Sequence, residues 1–147
     1  MTREIKLFDG PFRWLSNFGT CVPFEYEGIT YPTTEHFYQA LKSLDPAIRK
    51  EVAALATPGK AKKAGKKLAC RPDWEDVKDD VMKLALRLKF VEGTALAEKL
   101  LDTQDANLVE GNTWNDTYWG VNLSTGEGQN KLGKFLMERR EELRSKV

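Results

Sequence analysis

A chain of 147 residues fits one domain and can bury about two thirds of its unfolded surface without covalent or metal staples. Its 41% hydrophobic and 31% charged residues are the balance of a globular protein, and a net charge of +1 excludes polyanion binding driven by global charge, leaving only a local patch to engage phosphates. Apolar runs stay far below the roughly 18 residues of a bilayer span, and the start, Met1-Thr2-Arg3-Glu4, has no apolar signal core, so a cytoplasmic protein without membrane contact is expected.

Glu4 to Phe8 alternates polar and apolar residues, and the run from Phe24 to Tyr31 reads as two short strands about a turn at Gly28. Pro32 ends the extended segment, and Thr33 or Thr34 caps a helix through Glu35, Phe37, Tyr38, Ala40 and Leu41. A second helix is expected from Pro46 through Ile48, Val52 and Leu55, closed by Pro58-Gly59 and followed by a lysine-rich segment. Asp73 is expected to cap the strongest helix, in which Val77, Val81, Leu84, Leu88 and Val91 recur at offsets of three and four and mark one buried stripe. After Gly93 a shorter helix covers Leu96 to Leu101, Asn107 to Glu110 reads as a strand, and a polar, aromatic, glycine-rich loop runs to about Gln129. A last helix from about Asn130 turns Leu132, Phe135, Leu136 and Leu143 inward and ends in the charged run Arg139 to Lys146. No internal repeat or domain linker interrupts the chain.

Four features carry possible chemistry. Glu35, Tyr38 or Gln39, and Lys42 fall three, four and seven residues apart, which sets a carboxylate, an amide and an amine on one helix face. The same pattern also suits an ordinary helix, with an acid favouring the first-turn dipole and a solvated lysine. From Glu110 to Gly120, two carboxylates, two amides and the rings of Trp114, Tyr118 and Trp119 crowd a segment too polar for a core strand. Such rings either stack a planar base, at about 1–3 kcal/mol each, or plug the loop onto the core. Gly126 to Gly133 is a glycine-rich helix entry whose N–H groups suit a phosphate, but its glycine spacing is not a dinucleotide fingerprint and a plain loop is the favoured reading. Lys60, Lys62, Lys63, Lys66, Lys67 and Arg71 form a basic run, read as solvated, with phosphate steering as its alternative role.

Other chemistries have less support. The single His36 excludes multi-histidine metal sites, and Cys21 and Cys70 are too scattered to complete one, so no metal and no disulfide is expected. No G-x-S-x-G elbow is present, which sets serine nucleophile schemes aside.

The succession Trp14-Leu15-Ser16-Asn17-Phe18, then Tyr31-Pro32-Thr33-Thr34-Glu35-His36-Phe37-Tyr38-Gln39-Ala40-Leu41-Lys42, then Asp116-Thr117-Tyr118-Trp119-Gly120, then Asn130-Lys131-Leu132-Gly133, resembles the YbiA/NADAR family of N-glycosidases in order and spacing. Trp74-Glu75-Asp76-Val77-Lys78 with Val81-Met82 is similar to the family's middle helix. The resemblance implies a single α+β, helix-rich compact domain over residues 1–147 with a small β component. It also implies cleavage of the N-glycosidic bond of a phosphorylated ribosyl or ADP-ribosyl substrate. The substrate would be a ribosylamine pyrimidine phosphate of riboflavin biosynthesis or ADP-ribose attached to guanine in DNA.

Carried over position by position, the family pattern places its helix acid on Glu35, its central aromatic on Trp74, its loop acid and aromatic on Asp116 and Trp119, and its late amide on Asn130. Breaking a ribosyl C–N bond builds positive charge on C1 and the ring oxygen, so Glu35 and Asp116 are the expected catalytic carboxylates. Trp74 and Trp119 are expected to hold base or ribose, Asn17 and Asn130 to hydrogen-bond sugar or phosphate, and Lys42 and Arg13 to meet phosphate charge. Positioning and electrostatics suffice for such a scheme, and no cofactor is required. The competing reading is a non-catalytic module that senses ADP-ribose or a related nucleotide. The enzyme is favoured because a binder of anionic ligands gains little from two acids.

Overall fold

Local chemistry sets the elements of the computed structural model, which describes residues 3–146. Met1, Thr2 and Val147 lie outside the described residues, and with them part of the segment on which the expectation about export rests. The first half of the chain forms β1 (Glu4–Ile5), a 3-10 turn (Gly10–Leu15), β2 (Phe24–Tyr26), β3 (Ile29–Tyr31), α1 (Thr34–Ala40), α2 (Pro46–Ala53) and α3 (Pro58–Lys67). The second half forms α4 (Trp74–Lys89), α5 (Ala95–Asp102), β4 (Asn107–Leu108), β5 (Gly111–Asn112), β6 (Val121–Asn122) and α6 (Lys131–Arg144). The fold is α+β and helix-rich, and its strands pair two by two. No helix among the described residues is long and apolar enough to cross a membrane. The elements sort into two units, residues 17–89 and residues 3–16 with 90–146.

In residues 17–89, β2 and β3 form an antiparallel hairpin with Phe24 opposite Tyr31 and Tyr26 opposite Ile29. Its turn residues Glu27 and Gly28 have φ of 51° and 81°, and two successive positive φ values are what a type I′ turn requires. Phe37 of α1 meets the hairpin edge-on, its ring 5.6 Å from Phe24 and 5.2 Å from both Tyr26 and Tyr31. Every residue of α1 from Thr34 to Ala40 is buried. A short helix with Thr, Glu, His and Gln wholly inside needs partners for its polar groups, and those it finds build the candidate site.

Three expectations need correction in this unit. Pro58-Gly59 does not close α2; it opens α3. Thr57 accepts the Lys60 N–H at 3.1 Å as an N-cap, and Pro58 then occupies the first helical position, where its missing N–H costs nothing. Asp73 does not cap α4 with its side chain. Its carbonyl accepts the Asp76 and Val77 N–H groups, while its carboxylate holds the Arg71 guanidinium at 2.6 and 3.0 Å. The buried positions of α4 are Trp74, Val81, Met82, Ala85, Leu86 and Lys89, whereas Val77, Leu84 and Leu88 are only half-buried and Val91 lies beyond the helix end, exposed. Two overlapping registers share Val81. Packing of Trp74 on Tyr38 and the bond of Asn17 to Met82 select the second.

In residues 3–16 and 90–146, β1 runs parallel to β4 with Glu4 opposite Asn107 and Ile5 opposite Leu108. Phe8, Leu15, Phe90, Leu100, Leu108, Leu136 and Leu143 are buried. The Arg139 guanidinium donates to the Phe90 carbonyl at 3.1 and 2.9 Å, and buried Arg140 donates to Thr103 Oγ1 and the Ala106 carbonyl, both at 2.9 Å. The charged end of α6 therefore fastens its helix to the chain on either side of α5. The polar loop that follows β4 contains a parallel pair, β5 with β6, which brackets residues 113–120.

Candidate functional site

Glu35 stands in the first turn of α1, 6% exposed, where the helix dipole favours its charge. One turn later Gln39 donates its side-chain amide to Glu35 Oε1 at 2.8 Å. The carboxylate and amide that the spacing sets on one face do meet there. The start of α1 is itself anchored: the Glu35 N–H bonds the Asn17 carbonyl at 3.3 Å, and Thr34 donates its hydroxyl to Asn17 Oδ1 at 2.8 Å. Asn17 is buried and turns its amide to Met82 Sδ at 3.4 Å. Its side chain is thus engaged within the protein at both ends.

His36 points elsewhere. Its Nε2 lies 2.9 Å from the Leu55 carbonyl and its Nδ1 2.7 Å from Thr33 Oγ1, which also accepts the His36 N–H. A carbonyl only accepts, so Nε2 carries the proton and Nδ1 accepts the threonine hydroxyl. Burial holds the imidazole below its ordinary pKa, against the smaller opposing effect of the Leu55 carbonyl. The ring is a neutral clamp between α1 and the chain after α2.

Lys42 follows α1, half-buried, with its ammonium 5.7 Å from the centre of the Tyr38 ring. Burial pulls its pKa down, with Lys66 and Lys62 acting the same way and Cys70 and Glu35 acting against it. An ammonium held where its charge is costly gains from an anionic ligand. Tyr38 in turn packs on Trp74, ring centres 5.2 Å apart, and Trp74 is only 6% exposed. The Arg71 N–H bonds the Lys42 carbonyl at 2.7 Å, joining the end of α1 to the start of α4. Glu35, Lys42, Asn17 and Trp74 therefore share one neighbourhood around α1.

Gly65 of α3 is the residue that sequence reading missed. A Cβ there would overlap Gln39 Oε1 and stand 2.6 Å from Gln39 Cδ. A glycine inside a lysine-rich helix is a faint signal of close packing, and only the neighbouring helix gives it meaning.

Asp116, Trp119, Asn130 and Arg13 belong to the other unit. Asn112, 1% exposed, brackets Asp116 by donating to its carbonyl at 2.9 Å and accepting its N–H at 3.0 Å. Asp116 Oδ1 then accepts the N–H groups of Tyr118 and Trp119 at 3.2 and 3.0 Å. The acid organises the aromatic loop through this Asx-type turn. Trp119 is half-buried, edge-on to Tyr118 at 4.8 Å and to Phe135 at 6.2 Å. Lys131 lies 4.6 Å above the Tyr118 ring, and Trp114 is 64% exposed.

Asn130 takes φ of 52°, receives the Glu110 N–H on Oδ1 and donates Nδ2 to the Leu108 carbonyl, both at 2.9 Å. The helix entry after Gly126 does not present its amides to a ligand: N–H groups of Gln129, Asn130, Lys131 and Leu132 go to the carbonyls of Thr117, Gly120, Tyr118 and Trp119. Arg13 is exposed in the 3-10 turn.

The structure is similar to the NMR structure of the E. coli protein YbiA, with a TM-score of 0.85 and 39% identity, covering 99% of this chain and 88% of that one. In sequence, the N-glycosidase YbiA of Escherichia coli (strain K12) is 44% identical over 130 residues, 87% of this chain and 79% of the relative. The N-glycosidase Npun_R5314 of Nostoc punctiforme is 41% identical over 120 residues, 78% of this chain and 76% of the relative. The riboflavin biosynthesis protein VVA0006 of Vibrio vulnificus is 36% identical over 132 residues, 88% of this chain and 35% of that longer protein. Relatives of this activity, matched over most of their length, define an enzyme of the N-glycosidase class and set the sensor-module reading aside. The chain belongs to the NADAR domain family, whose model matches residues 7–144.

Proposed function

We propose that the enzyme hydrolyses the N-glycosidic bond of a phosphorylated N-riboside, with the ribosylamine pyrimidine phosphates of riboflavin biosynthesis as substrates, and that Glu35 is its working carboxylate. The observation that carries this reading is a buried glutamate, held by the Gln39 amide and close enough to half-buried Lys42 for each charge to act on the other. As the C1–N bond lengthens, positive charge spreads over C1 and the ring oxygen, and a carboxylate already fixed in a low-dielectric site stabilises it without reorganising. The same group takes a proton from the water that adds to C1 and gives it up through solvent to the departing nitrogen, so that one water is divided between C1 and the released amine and Glu35 returns to its carboxylate form. Lys42, with an ammonium that gains from an anionic neighbour, is assigned to the substrate phosphate. The riboflavin names of relatives in Vibrio vulnificus and Zea mays support the choice of substrate.

Asp116 is assigned to orienting the ribose hydroxyls, Trp119 to the base, and Asn130 and Arg13 to sugar or phosphate. Trp74, packed on Tyr38, is assigned to base or ribose. A second reading, ADP-ribose on guanine in DNA, is favoured by one observation: α3 carries five lysines, of which Lys60, Lys63, Lys66 and Lys67 are exposed. Phosphate contacts by that helix would make cleavage of DNA strongly salt-dependent.

The test is product release, followed by mass spectrometry, from a ribosylaminopyrimidine phosphate and from ADP-ribosylated guanine DNA, for wild type, Glu35→Gln and Asp116→Asn. Cleavage of the first substrate that Glu35→Gln reduces by orders of magnitude supports the proposal. Wild-type turnover by Glu35→Gln sinks the assignment of Glu35, and cleavage of DNA alone transfers the substrate to the second reading.

A further inference from the structure

We infer that Gln39 is a positioning residue for Glu35, and that Gly65 of α3 is the element that locks it in place; this rests on the assignment of Glu35 above. Gln39 is 5% exposed. Its amide N–H meets Glu35 Oε1 at 2.8 Å, which fixes the amide orientation, because a carboxylate oxygen accepts only from the nitrogen end. The carbonyl end is thereby turned toward α3, and there Oε1 is buried without a hydrogen-bond partner among the described residues.

A buried carbonyl left unpaired costs free energy, and a methionine or leucine would fill the same space without that cost. Facing it, Gly65 occupies a helix interior where alanine would be better, yet a Cβ there would overlap the Gln39 carbonyl. Two facing helices therefore each keep a locally unfavourable residue. Among the described residues, the polar bond that the Gln39 side chain forms in return is the bond to Glu35. Local rules broken together, with their benefit converging on a single side chain, mark a site where geometry matters more than stability. The role of Gln39 is to fix the rotamer of the carboxylate, so that it meets C1 and water in one geometry.

The experiment measures kcat and KM for wild type, Glu35→Gln, Gln39→Met, Gly65→Ala and Gly65→Ala/Gln39→Ala on the two substrates named above, with melting temperatures for each. Gln39→Met keeps the shape and removes the donor, and is expected to lower kcat about tenfold to a hundredfold with KM within about twofold, as for a displaced catalytic group. Gly65→Ala is expected to lower kcat similarly. Adding Gln39→Ala relieves the overlap and raises the melting temperature again, but leaves kcat low. Wild-type kcat in Gln39→Met, in an enzyme that Glu35→Gln inactivates, overturns the positioning role alone. Recovery of kcat together with melting temperature in the double variant overturns it too, since that is what a purely structural role gives. Wild-type turnover in Glu35→Gln, or no cleavage of either substrate by wild type, overturns the assignment of Glu35 and this inference with it.

Discussion

Thr34 donates its hydroxyl to Asn17 Oδ1 at 2.8 Å, fastening the residue just before Glu35 to the segment ahead of β2. Both groups are buried, so neither finds water if its partner is lost. Asn17→Ala is expected to destabilise the protein by about 1–3 kcal/mol, the usual cost of a buried donor left unsatisfied. Urea denaturation measures it. In a double-mutant cycle with Thr34→Val, the two losses should fall short of adding, because both remove the same bond. Additive losses would show that Asn17 stabilises the chain by another route. If Asn17 also touches sugar or phosphate, Asn17→Asp should raise KM beyond what its stability explains.

Asp116 offers a separation of charge from architecture. Its Oδ1 holds two loop N–H groups, and an asparagine oxygen can do the same. Asp116→Asn should leave the melting temperature nearly unchanged, whereas Asp116→Ala should lose about 1–3 kcal/mol as the Tyr118 and Trp119 amides lose their acceptor. Steady-state kinetics on the asparagine variant then report the charge alone. A large fall in kcat assigns Asp116 to the reaction; unchanged kinetics confine it to shaping the loop.

Lys42 is predicted to recognise phosphate. Lys42→Gln should raise KM for a phosphorylated riboside by about tenfold or more, in line with the 1.5–3 kcal/mol of a hydrogen bond to a charged group. The dephosphorylated riboside should be cleaved equally by wild type and variant. An equal loss on both substrates would instead place Lys42 near the reacting bond.

His36 predicts a pH effect on stability. Burial lowers its pKa in the folded protein below the ordinary 6.5. Between the folded value and 6.5 the unfolded chain binds more protons than the folded one, so stability rises with pH through this window and is complete above it. It falls as pH drops below 6.5 toward the folded value. Urea midpoints at pH 7.5 and pH 5.5 test this, and His36→Asn should flatten the difference. An equal pH dependence in both proteins would place the titrating group elsewhere.

What could be read in the sequence was local. A cap at Thr33 or Thr34, the hairpin turn at Gly28 and the alignment of Glu35 with Tyr38 or Gln39 depend on neighbours one to four residues away, and the structure selects Thr33 and Gln39. Pro58 was misplaced because a Pro-Gly pair suits the end of one helix and the start of the next, and Thr57 decides between them. The buried side of α4 was misplaced because its apolar residues fit two registers. Gly65 and the Asn112 bracket on Asp116 were illegible for a different reason. Gly65 acquires its role from a partner on another helix, whereas Asn112 bonds a residue only four positions on, but in a loop with no periodicity to mark the pairing.

The start of α6 supplies a last consequence. Four successive amides, from Gln129 to Leu132, together take all four carbonyls from Thr117 to Gly120, with Asn130 reaching past its neighbours to Gly120. A one-residue insertion between Thr117 and Gly120 would put the whole set out of step, while Thr113 and Trp114 are exposed and take no part in it. Length variation among natural relatives and grafted tags alike should therefore be tolerated at the tip of the loop and rejected at its base. The loop has a fixed root and an exposed crown.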